Sequence, residues 1–375
     1  MLQGPGTALL VTSREGHLAE AYAAEVRIAS PTALHLGDGV YVVQAADASI
    51  LARMASLRCQ LDVLAAAPSP IELVARVAAL RFEADQRAHG LTWELHSERR
   101  HDGGAGHVPT PEMQALLSQA CGRHLRIARG PAGPDVLRFA HVETAAGSFF
   151  GAITYAPGST AVVDDAWTHK PHNYGAGMLL PLARLGLNLA TGMKYGGSCI
   201  VDPCCGSGTI LFAAQCLGAS SVGGVELHAA VASNCRANLA ALSSQAAAER
   251  RRVAEEASGM VEPEDAPDIS VLTGDAMHTV LRSCTSAPVD CICSNLPFGR
   301  WVGVGGQTGL TPMRETHAES LPRLLEWLRP QAPRHAYFSG SEPLGELLES
   351  LGYRGVVELD VHTHGKRWLT LATCE

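Results

Sequence analysis

The chain predicts an α/β protein: a smaller α+β domain over residues 1–160, then a doubly wound, mainly parallel sheet over 161–375. Three observations carry that expectation. A length of 375 residues favours two domains. From Met178 onward, short β-branched runs alternate with segments of helical periodicity, the pattern of a sheet covered by helices on both faces. Finally, "YRGVVELDV" and "RWLTLATC" leave no room for a crossover helix in "HTHGK", so the last strand should be antiparallel.

In chain order, "ALLVTS" from Ala8 reads as a strand and "REGHLAEAYAAEV" as a helix. "GVYVVQA" is another strand, followed by a helix from Ala48 to Leu57. Pro70 opens the helix "IELVARVAAL", and Thr110 and Pro111 form a cap and first-turn pair before "EMQALLSQACG". Strands near Thr92 to His96, Leu137 to Val142 and Phe149 to Tyr155 complete the first domain. Arg99, Arg100, His101, Arg123, His124, Arg126 and Arg129 fall close together in sequence and are its candidate phosphate-contacting face, against the plainer reading of a solvated surface. "APGSTAVVDDAWTHKPHNYGAG", rich in small, polar and turn residues, reads as the linker.

In the second domain "SCIVD" is a strand, "TILFAAQCLG" a helix closed by Gly218, and "SVGGVE" a strand. Val231, Cys235, Leu239 and Leu242 then recur at helical spacing, and "ISVLTGD", "VDCICSN" and "RHAYFSG" supply three more strands. Residues 243–268 have few large apolar side chains. They read as a surface insertion, helical in the first half and mobile in the second, with no chemistry assigned.

Composition excludes several classes. Hydrophobic residues make up 46% and charged residues 18%, with a mean hydropathy of +0.07, which is globular rather than disordered. A net charge of -8 gives no global field for a polyanion, so any nucleic-acid contact must be local. The eleven cysteines form no CxxC pair and are odd in number, and "MLQGPGTALLVTS" has no basic leader. They read as reduced, mostly buried thiols in an intracellular protein, cytoplasmic or nuclear. "MLLPLARLGLNLA" is too short for a membrane span and carries Arg184.

The chemistry is expected at the carboxyl ends of the second domain's strands. "VDPCCGSGTIL" follows the first of them, with Gly206 and Gly208 allowing close backbone approach and the next helix presenting free amides. A dehydrogenase fingerprint needs a third glycine where Leu211 stands, and a P-loop needs a lysine that is missing. S-adenosylmethionine remains as the third common ligand of this fold. Asp202 ends the first strand, Glu226 ends the second and is placed to hold both ribose hydroxyls, and Asp275 after the third is placed to accept from the adenine amino group. Asp202 has the alternative role of capping the loop. The expected cofactor-binding set is Asp202, Cys204, Gly206, Gly208, Thr209, Glu226, Asp275, Ala276 and Asn295, with no metal.

The fourth strand runs into "CSNLPFGRW", where an asparagine and a proline are poor choices for a sheet. "DPCCGSGT" with "NLPF" resembles the amino-group methyltransferases, whose signature is Asn or Asp, any residue, Pro, then an aromatic. More narrowly, "HKPHNYGAGMLLPLA", "DPCCGSGTILFAA" and "NLPFG" together look like the THUMP-associated RNA guanine-N2 methyltransferases, over roughly Trp167 to the C-terminus. That resemblance implies a Rossmann-like class I methyltransferase domain of seven strands with the last antiparallel, and a diverged THUMP-like RNA-binding module in front of it. It also implies methyl transfer to guanosine N2 in tRNA or another structured RNA such as small nuclear RNA. A small zinc-containing activator subunit, forming a heterodimer, is a partner implied by resemblance alone; no membrane is expected. Close family members often carry Asp where this chain has Asn295.

The lone pair of an exocyclic amine is delocalised into the base, so the amine must be held and aimed. The Asn295 side-chain oxygen and the Leu296 carbonyl can accept its two hydrogens, Pro297 can fix the turn presenting them, and Phe298 can stack on the base. These four form the expected catalytic set. Cys204 and Cys205 read as packing thiols, since cytosine-C5 chemistry needs a cysteine where Phe298 stands. Lys170, His172 and Tyr174 are candidates for the methionine end of the cofactor or for a plain linker, and "GRWVGVGGQTG" is a candidate lid. Two alternatives stay open: methylation of a protein glutamine amide, where Pro is usual at the Leu296 position, and an inactive scaffold that binds RNA.

Overall fold

A computed structural model of the chain describes residues 7–13, 18–37, 39–44, 48–80, 92–99, 110–121, 125–127, 136–155, 160–173, 177–258, 267–296, 314–331, 334–361 and 368–373. The chain divides into two compact units, Met1–Asp47 with Ser56–Gly158, and Ala48–Ala55 with Ser159–Glu375.

The first unit is built on β1 (Thr7–Thr12), β2 (Leu34–Gly37), β3 (Val40–Gln44), β4 (Leu57–Ala67), β5 (Thr92–Arg99), β6 (Leu125–Ile127), β7 (Val136–Thr144) and β8 (Gly147–Tyr155). They form one sheet in the order β2-β3-β1-β4-β8-β7-β5-β6. β5 runs parallel to both β6 and β7, and the other pairs are antiparallel. Helix α1 (Ala19–Ala29) belongs to this unit, while the single turn α2 (Ala48–Leu51) belongs to the second. Helix α3 (Pro70–Ala79) starts as its sequence demands: Ser69 accepts from the Glu72 amide at 3.3 Å and Pro70 fills the first turn. With α4 (Thr110–Cys121) it buries Leu73, Val77, Met113 and Leu117 against the stacked rings of Phe139 and Phe150.

One expectation fails here. The helix expected from Ala48 to Leu57 stops at Leu51, and Leu57 opens an eleven-residue strand. Leu57, Cys59, Leu61, Ala65 and Ala67 are buried while Arg58 and Asp62 are exposed, so the period is two. β4 takes a central position between β1 and β8, so Leu57 is drawn into the sheet instead of ending the helix.

The second unit runs α5 (Thr160–Thr168), α6 (Leu180–Thr191), β9 (Cys199–Asp202), α7 (Thr209–Leu217), β10 (Ser221–Glu226), α8 (Ala229–Ala241), α9 (Ser243–Ser258), β11 (Asp268–Thr273), β12 (Cys291–Asn295), α10 (Arg314–Leu328), β13 (His335–Gly340), α11 (Gly345–Ser350), β14 (Arg354–Asp360) and β15 (Trp368–Thr373). Its sheet has the order β11-β10-β9-β12-β13-β15-β14, parallel from β11 to β13, with β15 antiparallel to both neighbours. This is the expected Rossmann-like α/β sheet with an antiparallel last strand. The strand order reverses between β9 and β12, which makes their carboxyl ends the place for a ligand.

Two further expectations are corrected. The stretch read as a linker contains α5, whose Val163 and Trp167 lie one turn apart and are buried, Trp167 stacking on Phe212 of α7 at 4.7 Å. In the stretch read as a surface insertion, the helix expected in the first half is present as α9, but it is packed rather than peripheral, burying Ala246, Glu249 and Val253. Its Glu249 meets Arg184 of α6 at 3.5 Å and Arg252 at 2.9 Å. Residues 259–266, where mobility is expected, lie outside the described residues. Among the described residues no helix is long and apolar enough to cross a membrane, and every cysteine is a free thiol.

Candidate active site

β9 delivers Asp202 to the sheet's carboxyl edge, where it is 2% exposed. Its Oδ1 accepts from the Cys204 amide at 3.0 Å and from the Ser294 hydroxyl of β12 at 2.8 Å, so Asp202 caps the loop that follows it. Burial pushes its carboxyl up to about 7, against the two hydrogen bonds, with the nearby Glu226 adding to the rise. Cys205 donates its amide to Val225 at 3.0 Å, which lays the loop over β10. Burial pushes the Cys204 thiol well up, and the contact with the Cys235 thiol, together with burial, does the same for Cys205, so both stay protonated, the state of packing groups rather than nucleophiles.

The two loop glycines differ. At Gly206 (φ +51) a Cβ would stand in open space, whereas at Gly208 (φ +92) it would lie 2.8 Å from Cys235 Sγ. Gly206 therefore faces a free volume and Gly208 faces the core. Thr209, 6% exposed, begins α7 directly after Gly208, whose own left-handed backbone forms the helix cap.

Glu226 ends β10, and each of its oxygens holds one main-chain amide: Oε2 that of Gly206 at 3.1 Å, Oε1 that of His228 at 2.9 Å. A carboxylate oxygen has a second lone pair, so acceptor capacity remains. Past β11, Gly274 donates to the main-chain oxygen of Glu226 at 3.0 Å, which ties this turn to the end of β10. Asp275 Oδ1 accepts from the Met277 amide at 2.9 Å, and its Oδ2 stands 3.9 Å from His278 Nε2; Ala276 beside it is buried.

β12 carries Asn295 to the same edge, across the reversal point from β9. Asn295 Oδ1 is buried and accepts no hydrogen bond among the described residues. It aligns in register with Ser339 of β13, whose buried hydroxyl is also without a partner among them. Leu296 follows, its amide bound to Ser339 O at 2.9 Å and its side chain in the core. An orphaned buried acceptor beside an open glycine loop is what an amine-bearing ligand would complete. Residues 168–311 match the family described as RMKL-like, methyltransferase domain. The second unit carries a methyltransferase domain. S-adenosylmethionine is its cofactor, and the open space at Gly206 and the strand-end carboxylates fit it.

Among solved structures, TrmN from Thermus thermophilus is 18% identical with a TM-score of 0.52, over 98% of this chain and 99% of that one. A possible methylase from Clostridium difficile 630 is 13% identical with a TM-score of 0.50, over 97% of each chain. Both likenesses are of fold. No curated protein matches the sequence.

Pro297, Phe298, Tyr174 and "GRWVGVGGQTG" lie outside the described residues, as do Arg100, His101, Arg123, His124 and Arg129. Arg99 falls at the end of β5 and Arg126 on β6, where its side chain is exposed. Lys170 sits 4.7 Å over the Trp167 ring, donates to Trp167 O and Asn173 Oδ1, and has its ammonium pKa lowered by burial. Sequence reasoning missed three residues: Ser294, which ties β12 to Asp202; Ser339, beside Asn295; and Asn238 of α8, which binds the His172 main chain. Among the described residues no cluster of His, Cys, Asp and Glu is arranged to hold a metal.

Proposed function

We propose that the protein methylates the exocyclic N2 amino group of a guanosine in RNA, with tRNA or small nuclear RNA as the substrate class. The observation that carries this reading is the buried Asn295 oxygen at the carboxyl end of β12, without a partner among the described residues and next to the fixed main chain of Leu296. When bound, S-adenosylmethionine supplies an electrophilic methyl group. Asp202, Cys204, Gly206, Gly208, Thr209, Glu226, Asp275 and Ala276 hold it: the loop by its main chain, Glu226 by its remaining lone pairs toward the ribose hydroxyls, Asp275 toward the adenine amino group. Asn295 Oδ1 and the Leu296 carbonyl accept the two amine hydrogens, which localises the nitrogen lone pair and aims it, while Phe298 gives the base a face to stack on. Neither acceptor can take a proton near neutral pH, so the surplus proton on nitrogen leaves to water.

The choice of guanine N2 and of RNA rests on the resemblance of "HKPHNYGAGMLLPLA", "DPCCGSGTILFAA" and "NLPFG" to the THUMP-associated enzymes. The same resemblance motivates an RNA-binding role for the first unit and a small zinc-containing activator as partner. The test is to incubate the pure protein, with and without such an activator, with methyl-labelled cofactor and total RNA, then digest the RNA to nucleosides. Label in N2-methylguanosine is expected. Label in protein with none in RNA would reject the proposal.

A further inference from the structure

Asn238 lies in the last turn of α8 and is fully buried. Its carboxamide binds main chain through both donors and one lone pair: Oδ1 accepts from the His172 amide at 2.9 Å, and Nδ2 donates to His172 O at 2.9 Å and to Ser207 O at 3.2 Å. The first two bonds copy the pairing of one strand residue with another, so the segment 169–173 is docked as if onto a sheet edge. The third reaches the glycine loop between Gly206 and Gly208.

The same helix supports that loop twice more. Cys235, one turn earlier, supplies the atom against which Gly208 packs. His228, at the start of α8, gives its amide to the Glu226 carboxylate that also holds the Gly206 amide. Those two supports act on the loop side only. Asn238 also grips the segment before α6, which carries Lys170 and His172.

We infer that Asn238 is a positioning residue that locks the 169–173 segment and the glycine loop into one wall of the cofactor site, so that it governs cofactor affinity without touching the target base. This rests on the proposed cofactor reading of the loop. Loss of its bonds frees two main-chain groups of His172 and one of Ser207, groups that are costly to leave unpaired when buried.

The test measures S-adenosylhomocysteine binding by calorimetry, hydrogen exchange along the chain, and the KM for RNA, in the wild type, in Asn238→Ala and in the isosteric Asn238→Asp. The aspartate fits the same space and keeps one acceptor but loses both donor bonds, so it reports even where the alanine variant folds poorly. Weaker ligand binding by about tenfold or more is expected in both variants. Faster exchange confined to residues 169–173 and the glycine loop should accompany it, with the KM for RNA unchanged. Equal ligand affinity in wild type and variants would overturn the inference and leave the functional reading standing. No binding by the wild type would overturn the functional reading, and the inference with it. Affinity lost only in proportion to global unfolding, with exchange raised across the whole unit, would overturn the inference by showing that Asn238 is structural and nothing more.

Discussion

At the scale of single residues, Asn295 and Asp202 are kept in states that folding alone would not select. A buried acceptor with no partner costs about 1–3 kcal/mol, and Asn295 Oδ1 has none among the described residues; in the proposed function the substrate amine supplies it. Asn295→Leu should therefore leave the ligand-free protein within about 1 kcal/mol of wild type, or more stable, while turnover is lost; chemical denaturation giving a loss well beyond that would mean the oxygen has a structural partner. Asp202 makes a prediction about pH. Its folded pKa, about 7, lies above the ordinary carboxyl value of 3.8. Below about 4 both folded and unfolded states are protonated, and Asp202 adds no penalty. Between there and about 7 the unfolded chain ionises first, so the contribution of Asp202 to stability falls as pH rises, and above 7 the full penalty is present. A cationic cofactor draws the carboxyl back down, so affinity for S-adenosylmethionine should rise as pH passes through about 7. Asp202→Asn should flatten that profile in a calorimetric titration across pH; an unchanged slope would show that the carboxyl does not feel the cofactor.

At the scale of elements, the two glycines of the loop are predicted to act differently, and α9 is held by a buried ion pair. Gly206→Ala places a methyl in open space at φ +51, costing about 1–2 kcal/mol of backbone strain, and it should reduce cofactor affinity more than stability. Gly208→Ala drives a Cβ to 2.8 Å from Cys235 Sγ at φ +92 and should show the reverse order, with melting temperature falling first. Matching losses in both variants would show that the loop has no ligand side. On α9, Glu249 is the close partner of buried Arg184, whose other carboxylate, Asp164, stands 3.9 Å away. Burial pushes the Asp164 carboxyl up against the pull of Arg184. Glu249→Leu should cost about 3 kcal/mol or more in urea denaturation, and adding Arg184→Met should recover much of it; additive losses would show that the pair is not coupled. These elements also mark what the sequence conceals. β9, β10 and β12 announce themselves as short β-branched runs, and Asp202, Glu226 and Asn295 can be read as the residues that end them. The helix of α9 can be read but its burial cannot, because the buried Glu249 pairs with Arg184 instead of continuing an apolar stripe. β4 is hard to read because its first residue, Leu57, also completes the apolar pattern of the expected helix, and its alternation is interrupted at the buried Gln60. Asn238 and Ser294 are invisible in one dimension, since their partners lie 66 and 92 residues away.

At the scale of the whole molecule, a chain of net charge -8 must hold a polyanion through a local face. In the proposed function that face includes Arg126, exposed on β6, with Arg123 and Arg129 near it in sequence. Reversing these three charges should weaken RNA binding uniformly across sequences and lower the slope of log K against log salt by about 1 for each phosphate no longer neutralised. The cofactor affinity of the second unit should not change; an unaltered salt slope would place the RNA elsewhere. In the proposed function methyl supply falls to the β9 and β10 ends and amine capture to the β12 end. The measurement that tests this most directly compares wild type with Asn295→Ala for both cofactor dissociation constant and single-turnover methyl transfer to RNA. Affinity unchanged within a few-fold with transfer slowed by about 10²-fold or more is the predicted result. Transfer at the wild-type rate would contradict it.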